Sequence, residues 1–173
     1  PDAIRERIGY MSQDFSLYLD MSVEENIDYM ASLRCLLPEV LGDEKERLLH
    51  FARMAPFRNR KAGALSGGMK KKLALTGILL QKNEVYILDE PFSGVDLQSN
   101  ILLKEIILKL KELNKTVMLS SHIFSILTDL CDTIHHIENG KLMRTAEKTD
   151  FKLIENDISN MGIKSKIDIF QLD

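Results

Sequence analysis

Two apolar rhythms divide the chain. Up to about Leu80 the apolar positions recur at helical spacing, whereas from Val85 onward short unbroken apolar runs alternate with helical stretches. Arg7 to Met11 reads as a short strand leading to Gln13. Ser22-Val23-Glu24-Glu25 has the form of a capping box, in which the hydroxyl and the Glu25 carboxylate each satisfy a free backbone N–H at a helix start. Val23, Ile27, Met30 and Leu33 or Arg34 continue at helical spacing, so a helix is predicted to about Leu37, stopping before Pro38. A second helix, Asp43 to about Met54, places Leu48, Leu49, Phe51 and Ala52 on one apolar stripe. A third starts at Ser66, a good N-cap, and turns Met69, Leu73, Thr76 and Leu80 inward.

The second half changes character. Val85-Tyr86-Ile87-Leu88 and Thr116-Val117-Met118-Leu119-Ser120 are short apolar runs of the kind that parallel strands show when both faces are covered. Between them a helix from Asp96 to about Leu113 is predicted, with Ile101, Leu102, Ile106, Lys109 and Leu110 on its inner side. A further helix covers Ile123 to Cys131. Thr133 to Ile137 and Lys141 to Arg144, joined at Asn139-Gly140, read as a hairpin whose turn favours positive φ. Strand, helix, strand, helix predicts an α/β layer with right-handed crossovers. Beyond Thr145 the pattern weakens, with Ile154, Ile158 and Met161 as one face of a short helix.

Composition narrows this picture modestly. At 173 residues, 45% hydrophobic and 28% charged, the chain suits one ordinary core. A net charge of −3 supplies no broad basic field, so no nucleic-acid partner is expected. Cys35 and Cys131 follow no metal-binding or disulfide spacing and read as core filler. No apolar run reaches the roughly eighteen residues that would span a bilayer. The first residues lack a secretory signal. They open almost at once on a strand with no initiator Met, so the sequence is expected to start partway into a larger domain.

Chemistry is expected beyond the carboxyl ends of the strands, where open α/β sheets bind ligands. Gln13, the pair Asp89-Glu90, and His122 all fall there. Acids at the end of a buried strand need a positive partner, and magnesium is the natural one: it accepts one or two carboxylates and completes its shell with water and phosphate oxygens. Asp89 suits that role. Glu90, turned elsewhere by Pro91, could polarise a water attacking a γ-phosphate. Gln13 could bind the metal or that water, and His122 could donate to the phosphate. The plainer alternative is a polar strand end and turn, though the joint occurrence at successive strand ends weighs against it.

The run G-A-L-S-G-G-M-K from Gly63 nearly matches the phosphate loop G-x-x-x-x-G-K-[ST], but Met69 stands in the lysine's place. Gly67 and Gly68 expose N–H groups at a helix start, a site that binds anions. Lys70, Lys71 and Lys72 sit near the positive end of that helix, each mildly unfavourable by ~0.3–1 kcal/mol unless an anion is near. A glycine turn followed by a solvated basic face is the alternative. His135 and His136 are strand neighbours that point to opposite faces, so chelation by both is not expected. His50 is expected to be exposed.

The ordered set Gln13 in IGYMSQ, Leu65 to Met69 in LSGGM, Val85 to Pro91 in VYILDEP, Ser93 to Asp96 in SGVD and His122 in SSH resembles the nucleotide-binding subunit of ATP-binding cassette (ABC) transporters. The likeness covers about residues 4 to 144 and leans toward the ABC-2-type bacterial exporters of drugs, lipids or polysaccharides. It implies a partial P-loop NTPase core with parallel strands and a helical signature subdomain over about residues 15–82. Residues 1–144 would form the partial nucleotide-binding domain, and 145–173 a tail of unknown role. It also implies ATP and Mg2+ as cofactors and a second nucleotide-binding domain paired head to tail. Ser66, Gly67 and Gly68 would then serve the partner's nucleotide and Asp96 the dimer interface. Asp89 would take the magnesium role, Glu90 the catalytic carboxylate, His122 the switch, and Gln13 the glutamine-loop contact. A transmembrane permease would dock just after Gln13, placing the protein peripherally on the cytoplasmic face of the membrane.

The sequence departs from the family where the phosphate loop and the adenine-stacking aromatic would precede Gln13. Phe92 stands where Thr is usual, and Gly77 where Arg is frequent. The implied function is an ATP-hydrolysing subunit that powers export. The alternatives are a soluble cassette acting on ribosomes or DNA, and a non-catalytic truncated cassette that only pairs with a partner.

Overall fold

The computed structural model describes residues 4, 7–14, 16–33 and 38–161. Strands β1 (Ile8–Met11), β2 (Val85–Leu88) and β3 (Thr116–Leu119) form a parallel sheet in the order β1-β2-β3. Met11 pairs with Leu88, and Leu88 with Leu119. The three carboxyl ends are therefore level, and the residues that follow them emerge on one rim. Parallel neighbours need long crossovers. Helix α4 (Leu97–Glu112) supplies one between β2 and β3, while α1 (Val23–Ser32), α2 (Pro38–Phe51) and α3 (Gly67–Leu80) all lie in the connection from β1 to β2. Helix α5 (Phe124–Leu130) follows β3, then the antiparallel pair β4 (Thr133–Glu138) and β5 (Lys141–Glu147), then α6 (Phe151–Met161). The architecture is mixed α/β with a parallel sheet.

Helix α3 is the hub. Helices α1, α2 and α4 and strand β1 all pack against it. Its Leu73, Leu75, Thr76 and Gly77 are fully or nearly fully buried. Gly9 of β1 lets the sheet approach it: a Cβ there would lie 2.3 Å from Ile78 Cγ2 and 2.5 Å from Asn83 Nδ2.

Local signals held where the partners are close in sequence. Ser22 N–H donates to Glu25 Oε2 at 2.6 Å and Glu25 N–H to Ser22 Oγ at 3.1 Å, completing the capping box. Asn139 and Gly140 take φ of +50° and +73°, the conformation a tight hairpin requires. Buried Asn26, which sequence reasoning passed over, pins the segment before α1: its Oδ1 accepts from Tyr18 N–H at 2.8 Å, and its amide donates to Tyr18 O and Ser22 O.

Several expectations are corrected. Helix α1 ends at Ser32 with Leu33 as its cap, and residues 34–37, where its predicted end and Cys35 fall, lie outside the described residues. Helix α2 starts at Pro38 rather than Asp43, because proline's fixed φ suits a first helical position. It ends at Phe51 rather than Met54, since Arg53 turns to φ +56°. Phe51 is exposed, not on the buried stripe. In α4 the inner face is Ser99, Leu102, Leu103, Ile106, Ile107 and Leu110; Ile101 lies outside it, and Lys109 pairs at the surface with Glu112. Lys71 belongs to no solvated face, being only 3% exposed.

Candidate functional site

The rim is built by the sheet register. Asp89 N–H continues the ladder to Met11 O at 2.8 Å, and Ser120 N–H to Leu88 O at 3.0 Å, which sets Asp89 beside Ser120. The Ser120 hydroxyl donates to Asp89 Oδ1 at 2.6 Å and accepts from Glu90 N–H at 2.8 Å. One serine on β3's end thus orients both acids on β2's end.

Glu90 has a left-handed backbone, φ +47°, which turns its side chain away from that of Asp89. Its two carboxylate oxygens each lie 3.0 Å from His122 Nδ1. An ionised carboxylate only accepts, so Nδ1 carries the hydrogen and Nε2 is left for another contact. The Glu90 side chain is 12% exposed and that of His122 51%, so the acid is sheltered while the imidazole reaches solvent. Gln13 follows β1 onto the same rim and is exposed.

A second cluster lies at the start of α3. Ser66 caps the helix, its Oγ accepting from Met69 N–H at 3.3 Å. The Gly67 and Gly68 amides precede the first intrahelical bond, so they remain donors for an anion. Asp96 caps α4: its Oδ1 accepts from Ser99 N–H at 3.0 Å and its Oδ2 from Ser99 Oγ at 2.8 Å. Those bonds, the backbone one foremost, hold the Asp96 carboxyl below its ordinary value. The two helix starts touch, because a Cβ on Gly68 would lie 2.7 Å from Asp96 Oδ2. Lys72 stands near Asp96; burial lowers its pKa, and the carboxylate works against that.

Ser120 thus joins Asp89 to Glu90, and the Glu90 carboxylate joins His122, while Ser66, Gly67, Gly68 and Asp96 form a separate corner. Sequence reasoning missed Ser120 and Lys71. Ser120 could have been found as the first polar residue after β3, level with Asp89 in a parallel register. Lys71 shares the helical face of Ala74, Leu75 and Ile78, a buried stripe.

The donor set fits magnesium better than a metal caged by protein ligands. Among the described residues no group of three or more His, Cys, Asp or Glu side chains could hold a metal ion. Asp89 alone, with one carboxylate oxygen not bound by Ser120, suits a hard cation that takes one or two protein carboxylates and keeps most of its water. A cavity of about 740 Å³ lies elsewhere, beside Ser12 and Ser16 and between Tyr18, Tyr29, Met30 and Ile78. It is a groove between β1 and the helical unit, and neither Asp89 nor Glu90 lines it.

A family profile described as "ABC transporter" matches residues 1–93. The ABC transporter ATP-binding protein NatA of Bacillus subtilis (strain 168) is 31% identical over 144 residues, covering 83% of this chain and 58% of NatA. The Nod factor export ATP-binding protein I of Rhizobium leguminosarum bv. viciae is 34% identical over 154 residues, covering 89% of this chain and 49% of that protein. The chain spans about half the length of these curated relatives. A solved dimeric ATP-binding cassette in a post-hydrolysis state, bound to ADP and Pi, superposes with a TM-score of 0.76 at 22% identity, over 85% of this chain and 66% of its own. At that identity the likeness is one of fold.

Proposed function

We propose, given that this chain belongs to the ABC transporter family and carries part of its ATP-binding domain, that the complete protein hydrolyses ATP to power export through a partner permease. The observation that carries this reading is the Glu90 carboxylate held on His122 beside Asp89, at the rim where three parallel strands end. Bound Mg-ATP supplies the γ-phosphoryl group that passes to water. Asp89, with one oxygen taken by Ser120, would hold the magnesium. Glu90 would orient the attacking water and take its proton on a carboxylate oxygen. Gln13 would offer its amide oxygen to the metal or to that water. His122 keeps Glu90 in line; it can donate to a phosphate at the same time only as the imidazolium, with hydrogens on both nitrogens.

The Ser66–Gly68 corner would serve a nucleotide seated on a second cassette, with Asp96 at the seam between the two. The dimeric cassette bound to ADP and Pi supports this pairing. A relative concerned with Nod factor export supports the direction of transport. The region just after Gln13, where Ser16, Leu17 and Tyr18 border the groove between β1 and the helical unit of about residues 15–82, would receive the permease. Among the described residues no helix is long and apolar enough to cross a membrane, and attachment at the cytoplasmic face through the permease would locate the protein. Residues 145–173 have no assigned role in this scheme.

The test is Glu90→Gln in the full-length protein, with ATP binding and phosphate release measured together. Binding is expected to persist while turnover falls by ~100-fold or more, the scale of a lost general base. Wild-type turnover in that variant would remove Glu90 from the mechanism.

A further inference from the structure

Lysines are almost never fully buried unless paired, yet Lys71 lies on the inner face of α3 and is 3% exposed. Its ammonium donates to the main-chain carbonyl of Glu90. Burial lowers its pKa, and the charges of Glu90 and Asp89 work against that shift. The accepting carbonyl belongs to the residue with φ +47°. That conformation is strained for a non-glycine residue and persists only where the surroundings over-determine it.

Three hydrogen bonds do so. Glu90 N–H donates to Ser120 Oγ from the side of β3, and Glu90 O accepts from Lys71 on the side of α3 and from Ser93 N–H at 3.2 Å. The backbone of residue 90 decides where its carboxylate points, and it points at His122 Nδ1. Lys71 also sits about one helical turn beyond the Ser66–Gly68 corner, so one rigid element touches both clusters.

We infer that Lys71 is a positioning residue: its ammonium grips the Glu90 carbonyl, holds that residue in its left-handed conformation, and so aims the carboxylate at His122. Through α3 it also ties the orientation of this acid to the helix start at the Ser66–Gly68 corner. The consequence for turnover rests on the ATPase reading above; the backbone effect does not.

The experiment compares Lys71→Met with Lys71→Arg in the full-length protein. Lys71→Met keeps the apolar stem and removes the donor; Lys71→Arg restores one. For Lys71→Met, kcat is expected to fall ~10- to 100-fold, the scale of a small misplacement at a reacting centre, with KM for ATP within about twofold of wild type. Lys71→Arg recovers most of the loss. A crystal structure of Lys71→Met is expected to show Glu90 out of the positive-φ region or its carboxylate off His122. Wild-type kcat in Lys71→Met, or an unchanged Glu90 backbone and Glu90–His122 contact, overturns the inference. Equal losses in both variants with matching drops in melting temperature also overturn it, because they reduce Lys71 to packing. If the wild-type protein shows no ATPase activity, the function proposal fails, and the Glu90 backbone in Lys71→Met alone decides the role of Lys71. Should Lys71→Met not fold, Lys71→Leu, which likewise removes the donor, takes its place against Lys71→Arg by the same readouts.

Discussion

Replacing Gly68 and, in parallel, Gly42 by alanine separates two meanings of a glycine in a helix. Both positions are helical, Gly68 in α3 and Gly42 in α2. Alanine in a helix is favoured over glycine by ~0.5–1 kcal/mol, because glycine loses more backbone freedom on folding. At Gly42 a Cβ meets nothing within 4 Å, so Gly42→Ala is expected to realise that gain. At Gly68 the Cβ would lie 2.7 Å from Asp96 Oδ2 and 3.0 Å from Ser99 Oγ. Asp96 cannot swing aside freely, since both of its oxygens are held by Ser99. If it does swing, α4 loses its N-cap, at ~0.5–2 kcal/mol. If α3 shifts instead, the crowding costs ~1–3 kcal/mol. Setting the alanine gain against the middle of these ranges leaves Gly68→Ala less stable than wild type by ~0.5–1 kcal/mol, and ~1–2 kcal/mol below Gly42→Ala. Urea unfolding of the three proteins, with midpoints compared at constant slope, measures this directly. A Gly68→Ala midpoint at or above wild type would refute the contact between the two helix starts.

Ser120→Ala leaves Glu90 N–H and one Asp89 oxygen without their shared partner. Thermal unfolding should show a loss of ~1–3 kcal/mol, accompanied by lower ATP turnover; wild-type values of both would count against Ser120 as the link. The capping box gives a pH signature. Glu25 lies below its ordinary 4.5, chiefly because its carboxylate accepts the Ser22 backbone N–H. A folded-state pKa that is depressed contributes stability above the unfolded value, lost as pH falls through the folded value. The stability gap between wild type and Glu25→Gln should therefore be widest near neutral pH and close as acid is added; a gap that widens in acid would contradict the cap.

Much of the architecture could be read from the chain because its causes are local. The Ser22–Glu25 box and the Asn139-Gly140 turn are set by hydrogen bonds and dihedral preferences within a few residues, and they form as their residue types dictate. The apolar runs at Val85–Leu88 and Thr116–Leu119 are strands for an equally local reason, and the polar residues behind them mark the rim. Family motifs pointed to Gln13, Asp89, Glu90, His122 and the Ser66–Gly68 corner.

Packing decided the rest. Phe51 and Ile101 are as apolar as their buried neighbours yet lie outside, because nothing among the described residues covers their side of α2 or α4. Lys71 looks like one of three equivalent lysines, but only its position faces the β2 turn, across 19 residues of sequence. Ser120 reaches Asp89 across 31 residues, by way of a register that levels the ends of β2 and β3. Residue type and spacing determine which groups are available at the strand ends. Which of them touch is a matter of register and helix packing, and those are settled only when elements distant in the chain bury their faces against one another.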